Sequence, residues 1–362
     1  MTKILILSTI YGHKSIAEAI QETLREASYQ TKTIIETNWI TRLYSLVYQK
    51  RPEINGLAYH FLHQTDDNEL LKTFTQQTCL LSTHQLEQTI QDYAPDLVIN
   101  TYVQFIPVLE KLKQKQGLPF FNFVANPRTV IPKFELSPKA EHNLVFDQTL
   151  VEKIKPHGIE TKPIGWFVRS KFEQDYQQDH QKKQLGLLQK PTFLINSGYS
   201  GKEKSVLVLK ELLKKQLDLQ LIFSCGKNDD LLKEVKTLSQ NNDSQALRII
   251  PLSFTDKLHQ YLQAADLVIG KAGPNTIFES AATSTPFFAT THIPGQENGN
   301  LELIKQYQLG YVQQNAVKAA KKLAAISQDI SRLDKFKPHL KSLAEYNQQA
   351  KPKLLKLVSQ TI

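Results

Sequence analysis

At 362 residues, 41% of them hydrophobic, the chain is long enough for two domains of ordinary size, and no apolar run approaches the roughly 18 residues of a membrane-spanning helix. Its two cysteines, Cys79 and Cys225, sit in no metal or redox spacing, which argues against a disulfide scaffold and against zinc, and the first residues read as a strand rather than a signal peptide, as in a cytoplasmic protein. The net charge of +9 is uneven: residues 1–160 carry 16 Lys/Arg against 17 Asp/Glu, whereas 318–362 hold 10 basic against 3 acidic residues, a balance suited either to an anionic partner or to plain solvated helix faces.

Apolar runs alternate with helical segments along the whole chain, the pattern of stacked βαβ units. KILILS (3–8) reads as a strand and SIAEAIQETLREA (15–27) as a helix, followed by the strand QTKTIIET (30–37). PDLVINT (95–101) is a strand ending in polar residues, FIPVLEKLKQKQG (105–117) a helix with Gly117 at its stop, and PFFNFVA (119–125) and HNLVFD (142–147) complete the strands of a first half. The pattern restarts near TKPIGWFVRSKF (161–172). The second half then gives the strands PTFLINS (191–197), LQLIFSCG (219–226), LRIIPLS (247–253), DLVIGK (266–271) and PFFATT (286–291), separated by helical KSVLVLKELLKK, DDLLKEVKTLSQ, DKLHQYLQAA and NTIFESAAT, with NLELIKQYQ after the last. We expect an α/β protein of two Rossmann-like domains facing a central cleft, 1–165 and 166–345, with 346–362 as a C-terminal helix.

Three stretches carry candidate chemistry. In LVIGKAGPNTIFES a strand runs into a turn through Lys271 and Gly273, Asn275 and Thr276 open a helix, and Glu279 lies one turn inside it. Helix N-termini offer free N–H groups and partial positive charge to a phosphate, Lys271 adds a cation, and an acid at that depth can accept from ribose hydroxyls; the alternative is a capped helix in a packed interface. HIPGQENGN (292–300) supplies Gln296, Glu297 and Asn300, donors and acceptors for sugar hydroxyls. In STIYGHKS, His13 stands at a strand-to-helix turn, where it can serve as a base, an orienting group or merely a turn residue. A fourth stretch, 39–64, mixes Trp39, Tyr44 and Tyr48 with Arg42, Lys50 and Arg51, which fits either a membrane boundary or an aromatic core helix. No Asp-x-Asp pair occurs, so no required metal is expected and leaving-group charge falls to helix N-termini and cations. No nucleic-acid-binding module is present.

AADLVIGKAGPNTIFESAATSTPFF…IPGQENGN resembles the nucleotide-sugar site of the GT-B glycosyltransferases, and among them the monogalactosyldiacylglycerol synthases and processive diacylglycerol glucosyltransferases, with the peptidoglycan-precursor N-acetylglucosaminyltransferase a more distant likeness. The likeness is strong over 248–300 and weaker over the first 160 residues. It implies that a hexose passes from a UDP-sugar to a lipid hydroxyl of diacylglycerol type, with inversion, at the cytoplasmic face of the cell membrane. It also implies that Glu279 takes the donor ribose, Gln296 and Glu297 the transferred sugar, Ser253 and Phe254 the uracil and Ser200 and Gly201 the phosphates, that the 39–64 stretch meets lipid, and that the last helix returns to the first domain. Two departures stand out: the family's Gly-x-Gly-His is Ile10-Tyr11-Gly12-His13 here, and bulky Tyr199 occupies a usually small position. They keep a non-catalytic nucleotide-sugar or lipid sensor in view, beside an epimerase acting on UDP-N-acetylglucosamine, which shares the two-domain architecture.

Overall fold

Continuous apolar runs, rather than alternating ones, form the central strands, because helices cover both faces of a parallel sheet and leave no wet side. The structure, a computed structural model, describes residues 2–37, 56, 78–79, 84–198, 201–215, 217–242, 244 and 246–362. Trp39, Arg42, Tyr44, Tyr48, Lys50, Arg51, Tyr199 and Ser200 lie outside the described residues. The chain divides into unit 1 (1–170, 294–299 and 346–362) and unit 2 (171–293 and 300–345).

Unit 1 holds a six-stranded parallel sheet in the order β2-β1-β3-β4-β5-β6: β1 (Lys3–Ser8), β2 (Gln30–Ile35), β3 (Leu97–Asn100), β4 (Phe120–Phe123), β5 (His142–Val145) and β6 (Lys162–Pro163). Ile4 through Leu7 have no exposed surface, and Leu5 is in register with Lys32 on one side and Val98 on the other. The helix α1 (Gly12–Glu26) follows β1 and buries Ile16, Ala17, Ile20 and Leu24, an i, i+4 stripe that sequence periodicity anticipates. The helices α2 (His84–Tyr93) and α3 (Ile106–Gln116) precede and follow β3, and Gly117 closes α3 in the left-handed region, at φ 72°. The helix α4 (Gln148–Ile154) is capped by the Asp147 carboxylate, which accepts from Leu150 N.

Unit 2 repeats the plan with β7 (Thr192–Asn196), β8 (Leu219–Gly226), β9 (Leu247–Ser253), β10 (Leu267–Lys271), β11 (Phe287–Thr291) and β12 (Gly310–Val312), all parallel, in the order β12-β11-β10-β7-β8-β9. Its helices include α5 (Lys202–Leu213), α6 (Asp229–Gln240), α7 (Pro274–Ala282), α8 (Asn298–Gln306), whose first two residues group with unit 1, and α9 (Ala316–Gln328). Gln220 sits fully buried in β8 because its amide is satisfied: it accepts from Leu188 N at 2.7 Å and donates to Leu188 O at 2.8 Å and Thr192 Oγ1 at 2.9 Å.

The division of the chain differs from the expected boundary at 165. Lys162–Pro163 extends the first sheet as its sixth strand, and Trp166 and Phe167 pack edge-on against Phe123, ring centroids 5.6 and 5.5 Å apart, so the chain stays with unit 1 to Ser170. The 294–299 turn groups with unit 1, not with the second half as expected. The last helix, α10 (Ala350–Thr361), also belongs to unit 1: just before it, Asn347 Oδ1 accepts from Trp166 N at 3.0 Å and Tyr346 Oη donates to Phe146 O at 2.9 Å.

Candidate active site

Open α/β sheets bind ligands at the carboxyl ends of strands, where the strand order reverses and two loops diverge. In unit 1 that point lies between β1 and β3. The loop after β1 reaches α1 through Tyr11, whose φ of 63° and ψ of −130° are strained for a residue with a Cβ. One residue inside the helix, His13 Nδ1 lies 2.6 Å from Thr101 O, at the end of β3. A carbonyl oxygen only accepts, so Nδ1 carries the proton and the lone pair of the neutral ring is on Nε2. The Tyr102 ring stands edge-on to the imidazole, centroids 5.0 Å apart. Burial lowers the His13 pKa below the ordinary 6.5, against a smaller upward pull from the Thr101 hydrogen bond. The result is a neutral imidazole at pH 7, oriented by a backbone oxygen and with its basic nitrogen on the other side.

The loop that holds His13 is itself anchored. Thr101 donates from N and from Oγ1 to Leu7 O, at 3.0 and 3.1 Å. Tyr102 N donates to Asn100 Oδ1 at 3.1 Å, Asn100 Nδ2 to Asn122 Oδ1 at 2.9 Å, and Asn122 Nδ2 to Asn143 Oδ1 at 3.1 Å. These three buried asparagines on β3, β4 and β5 were missed by the sequence reading. The available signal was an Asn inside each of three otherwise apolar strands, LVIN, FFNF and HNLV. In the same unit, Arg128 makes a buried bidentate pair with Asp147 at 2.8 and 2.6 Å. Gly299 N donates to the neighbouring Thr129 Oγ1 at 3.2 Å, and a Cβ at Gly299 would lie 2.4 Å from Arg128 Cβ. In the same turn Glu297 is buried and Gln296 half-buried.

In unit 2 the order reverses between β7 and β10. Here backbone meets backbone. A Cβ on Gly270 would lie 2.5 Å from Asn196 O, and one on Gly201, the residue before α5, would lie 2.5 Å from Ser197 O and 3.3 Å from Lys271 Cβ. Gly201 and Lys271, predicted separately, are therefore neighbours at the reversal point. Gly273 is the N-cap of α7, Pro274 its first residue, and Asn275 and Thr276 lie in its first turn, so the N-terminal end of a helix follows Lys271 by two residues. Glu279 is buried within α7, 7% exposed. Asn300 Nδ2 donates to Ala272 O at 2.8 Å, which ties the start of α8 to the same turn. Ser253 and Phe254 stand apart, at the carboxyl end of the edge strand β9, two strands from β7. Phe254 is 62% exposed, and Lys227 Nζ, which the sequence reading did not single out, lies 4.7 Å from its ring centre. Among the described residues no helix is long and apolar enough to cross a membrane.

Residues 13–167 match the family model of monogalactosyldiacylglycerol (MGDG) synthase, and residues 202–358 that of the glycosyltransferase family 28 C-terminal domain. The chain is 25% identical over 353 residues to a processive diacylglycerol beta-glucosyltransferase of Bacillus pumilus, covering 94% of this chain and 91% of that one. Among solved structures, Acinetobacter baumannii MurG superposes with a TM-score of 0.63 at 15% identity, covering 99% of this chain and 100% of the other. Anabaena HepE, solved in complex with UDP-glucose, gives 0.59 at 14% identity, covering 98% and 100%. Two doubly wound sheets, family models matching each half, and a likeness that runs almost end to end make this chain a GT-B glycosyltransferase of the family that includes the monogalactosyldiacylglycerol synthases and processive diacylglycerol glucosyltransferases.

Proposed function

We propose that the protein transfers a hexose from a UDP-sugar to the free hydroxyl of a diacylglycerol-like lipid, with inversion at the anomeric carbon. The observation that carries this reading is the His13–Thr101 pair, 2.6 Å between Nδ1 and the carbonyl oxygen, which leaves Nε2 as a proton acceptor at the reversal point of the first sheet. In the proposed step the lipid oxygen attacks the anomeric carbon while its proton passes to His13 Nε2. The bond from that carbon to the diphosphate oxygen breaks, and UDP leaves with the electron pair. Lys271, the Gly201 turn and the first turn of α7 take the growing charge on UDP, Glu279 accepts from the ribose, and Phe254 stacks on the uracil. Gln296, Glu297 and Asn300 hold the sugar. This division of work requires no divalent metal.

The acceptor class rests on the matched family of residues 13–167 and on the names of the curated relatives. The reading includes attachment to the anionic inner face of the cell membrane, through the 39–64 stretch and the basic tail from 318 to 362. The test is incubation with labelled UDP-hexoses and diacylglycerol in mixed micelles, with and without EDTA, followed by mass spectrometry. One glycolipid formed per UDP released, undiminished by EDTA, is the expected result. UDP binding without turnover across the panel would leave a sensor instead, and free sugar without glycolipid would remove lipid as the acceptor.

A further inference from the structure

One cationic cluster of unit 2 takes no part in the chemistry above. Tyr311 lies on β12, the edge strand of the sheet, tilted against Phe288 at 5.9 Å and edge-on to Phe336 at 4.8 Å. Two ammonium groups are drawn to this ring: Lys322 Nζ at 3.8 Å and Lys335 Nζ at 5.3 Å from its centre, the second also 5.0 Å from Phe336. Lys322 comes from α9 and Lys335 from the 3₁₀ segment Ile330–Phe336, so two separate elements bring like charges to one aromatic ring.

The nearby carboxylates do not neutralise them. Asp334 is held by Lys337 at 2.7 Å and Asp329 by Arg332 at 3.3 Å. A ring quadrupole attracts a cation by roughly 0.5–1 kcal/mol at an exposed site, while two cations held at one ring still repel each other. Consistent with that, burial and then the charge of Lys335 lower the pKa of Lys322. Two strongly donating ammoniums around one ring, neither in an ion pair with a carboxylate among the described residues, match the charge and the several acceptor oxygens of a phosphate group.

The geometry points to a second anion site on unit 2, formed by Lys322 and Lys335 over Tyr311, that binds a phosphate ester: the headgroup of an anionic phospholipid or a free phosphate. Bridging both ammoniums, such a group replaces their mutual repulsion by two charge-assisted contacts. The site extends the membrane part of the reading above, but its readouts are binding ones, so failure of transfer and failure of this site are separable.

The experiment uses the full chain in three forms: wild type, Lys322→Gln with Lys335→Gln, and Lys233→Gln with Lys236→Gln, which removes equal charge from the exposed face of α6. Each is co-sedimented with phosphatidylglycerol vesicles and with phosphatidylcholine vesicles, and titrated with inorganic phosphate by NMR. Thermal melts verify folding, and Tyr311→Leu tests the platform with the charges left in place. The Lys322/Lys335 pair should weaken phosphatidylglycerol binding by about 25-fold, the loss expected for two lysines close to an anionic surface. The control pair should weaken it by about threefold or less, as charges a Debye length away are screened. Displacement of vesicles by millimolar phosphate would identify the phosphate group itself as the ligand, and binding that resists phosphate would identify the lipid surface. Equal losses in the two double variants, or a wild-type protein that binds neither phosphatidylglycerol nor phosphate, would overturn the site.

Discussion

The two sheets reverse their strand order in different materials. In unit 1 the reversal point is occupied by a side chain, His13, held by the end of β3, whereas in unit 2 it is occupied by main chain, where Gly270 lies against Asn196 and Gly201 against Ser197 and Lys271. The difference follows from what each half is suited to do. Moving a proton near pH 7 needs a titratable ring with a fixed tautomer, and fixing it takes acceptors buried around it. Holding a diphosphate needs N–H groups and room for backbone to come close, which a Cβ would deny. On the proposed reading, one fold plan carries a proton-handling site on one sheet and an anion cradle on the other.

The largest expected effect falls on the unit 1 side. His13→Ala should reduce kcat by about 10²–10⁴-fold, the usual contribution of a positioned base, and leave UDP affinity within about twofold of wild type. A variant that keeps its turnover but loses UDP would exchange the roles of the two units. The pH profile sharpens the test. Because burial lowers the His13 pKa, the acid limb of kcat/KM should fall below the ordinary 6.5 and vanish in the variant. Stability follows the same sign: with the folded pKa depressed, the contribution of this ring is full above about 6.5 and is lost as pH falls through the folded value. Melting temperature should therefore decline less steeply with acid in His13→Ala.

Two smaller effects belong to unit 2. Gly201→Ala places a Cβ 2.5 Å from a carbonyl oxygen, so backbone must move. A loss of about 1–3 kcal/mol is expected, shared between a lower melting temperature and weaker UDP binding. Glu279→Ala should weaken UDP binding by roughly 1–3 kcal/mol, as ribose hydroxyls lose a charged acceptor. Calorimetry that shows unchanged affinity in a folded Glu279→Ala protein would detach the ribose from α7. If both variants instead lower kcat and spare UDP affinity, the cradle is misplaced.

Most of this architecture is legible in the sequence, because fully buried parallel strands read as apolar runs and their helices as 3.6-residue stripes; Asp229–Gln240 coincides with the segment read as a helix. Less legible is whatever depends on contacts distant in sequence. Lys162–Pro163 lies in the stretch where the sequence pattern restarts and reads as no strand, yet it is the last strand of the first sheet, a pairing that only β5 can supply. The Asn100–Asn122–Asn143 relay spans three strands, and no local spacing announces it. The reading placed Lys271 by its neighbours in sequence, yet its approach to Gly201 joins residues seventy positions apart. Phe254 and Lys227 meet for the same reason, through the pairing of β8 with β9.

The N-terminal loop gives the smallest effect. Its sequence draws attention to Ile10, where the resembled family has glycine, but the positive φ falls on Tyr11, at 63° with ψ at −130°. A side chain there crowds its own backbone, while glycine reaches this region freely. Tyr11 is 48% exposed, so only about half of its surface is buried. Tyr11→Gly should therefore stabilise unit 1 by about 1 kcal/mol, the relief of strain exceeding the entropy that glycine adds to the unfolded chain. Ile10→Gly, with no such strain to relieve, should lower stability by about 0.5–1 kcal/mol. Denaturant titration of the two variants distinguishes them by sign. UDP affinity should stay unchanged in both, since Gly201, Lys271 and Glu279, the residues proposed to hold the donor, belong to unit 2. A Tyr11→Gly protein less stable than wild type would show that the tyrosine side chain contributes more to holding this turn than its backbone strain takes away.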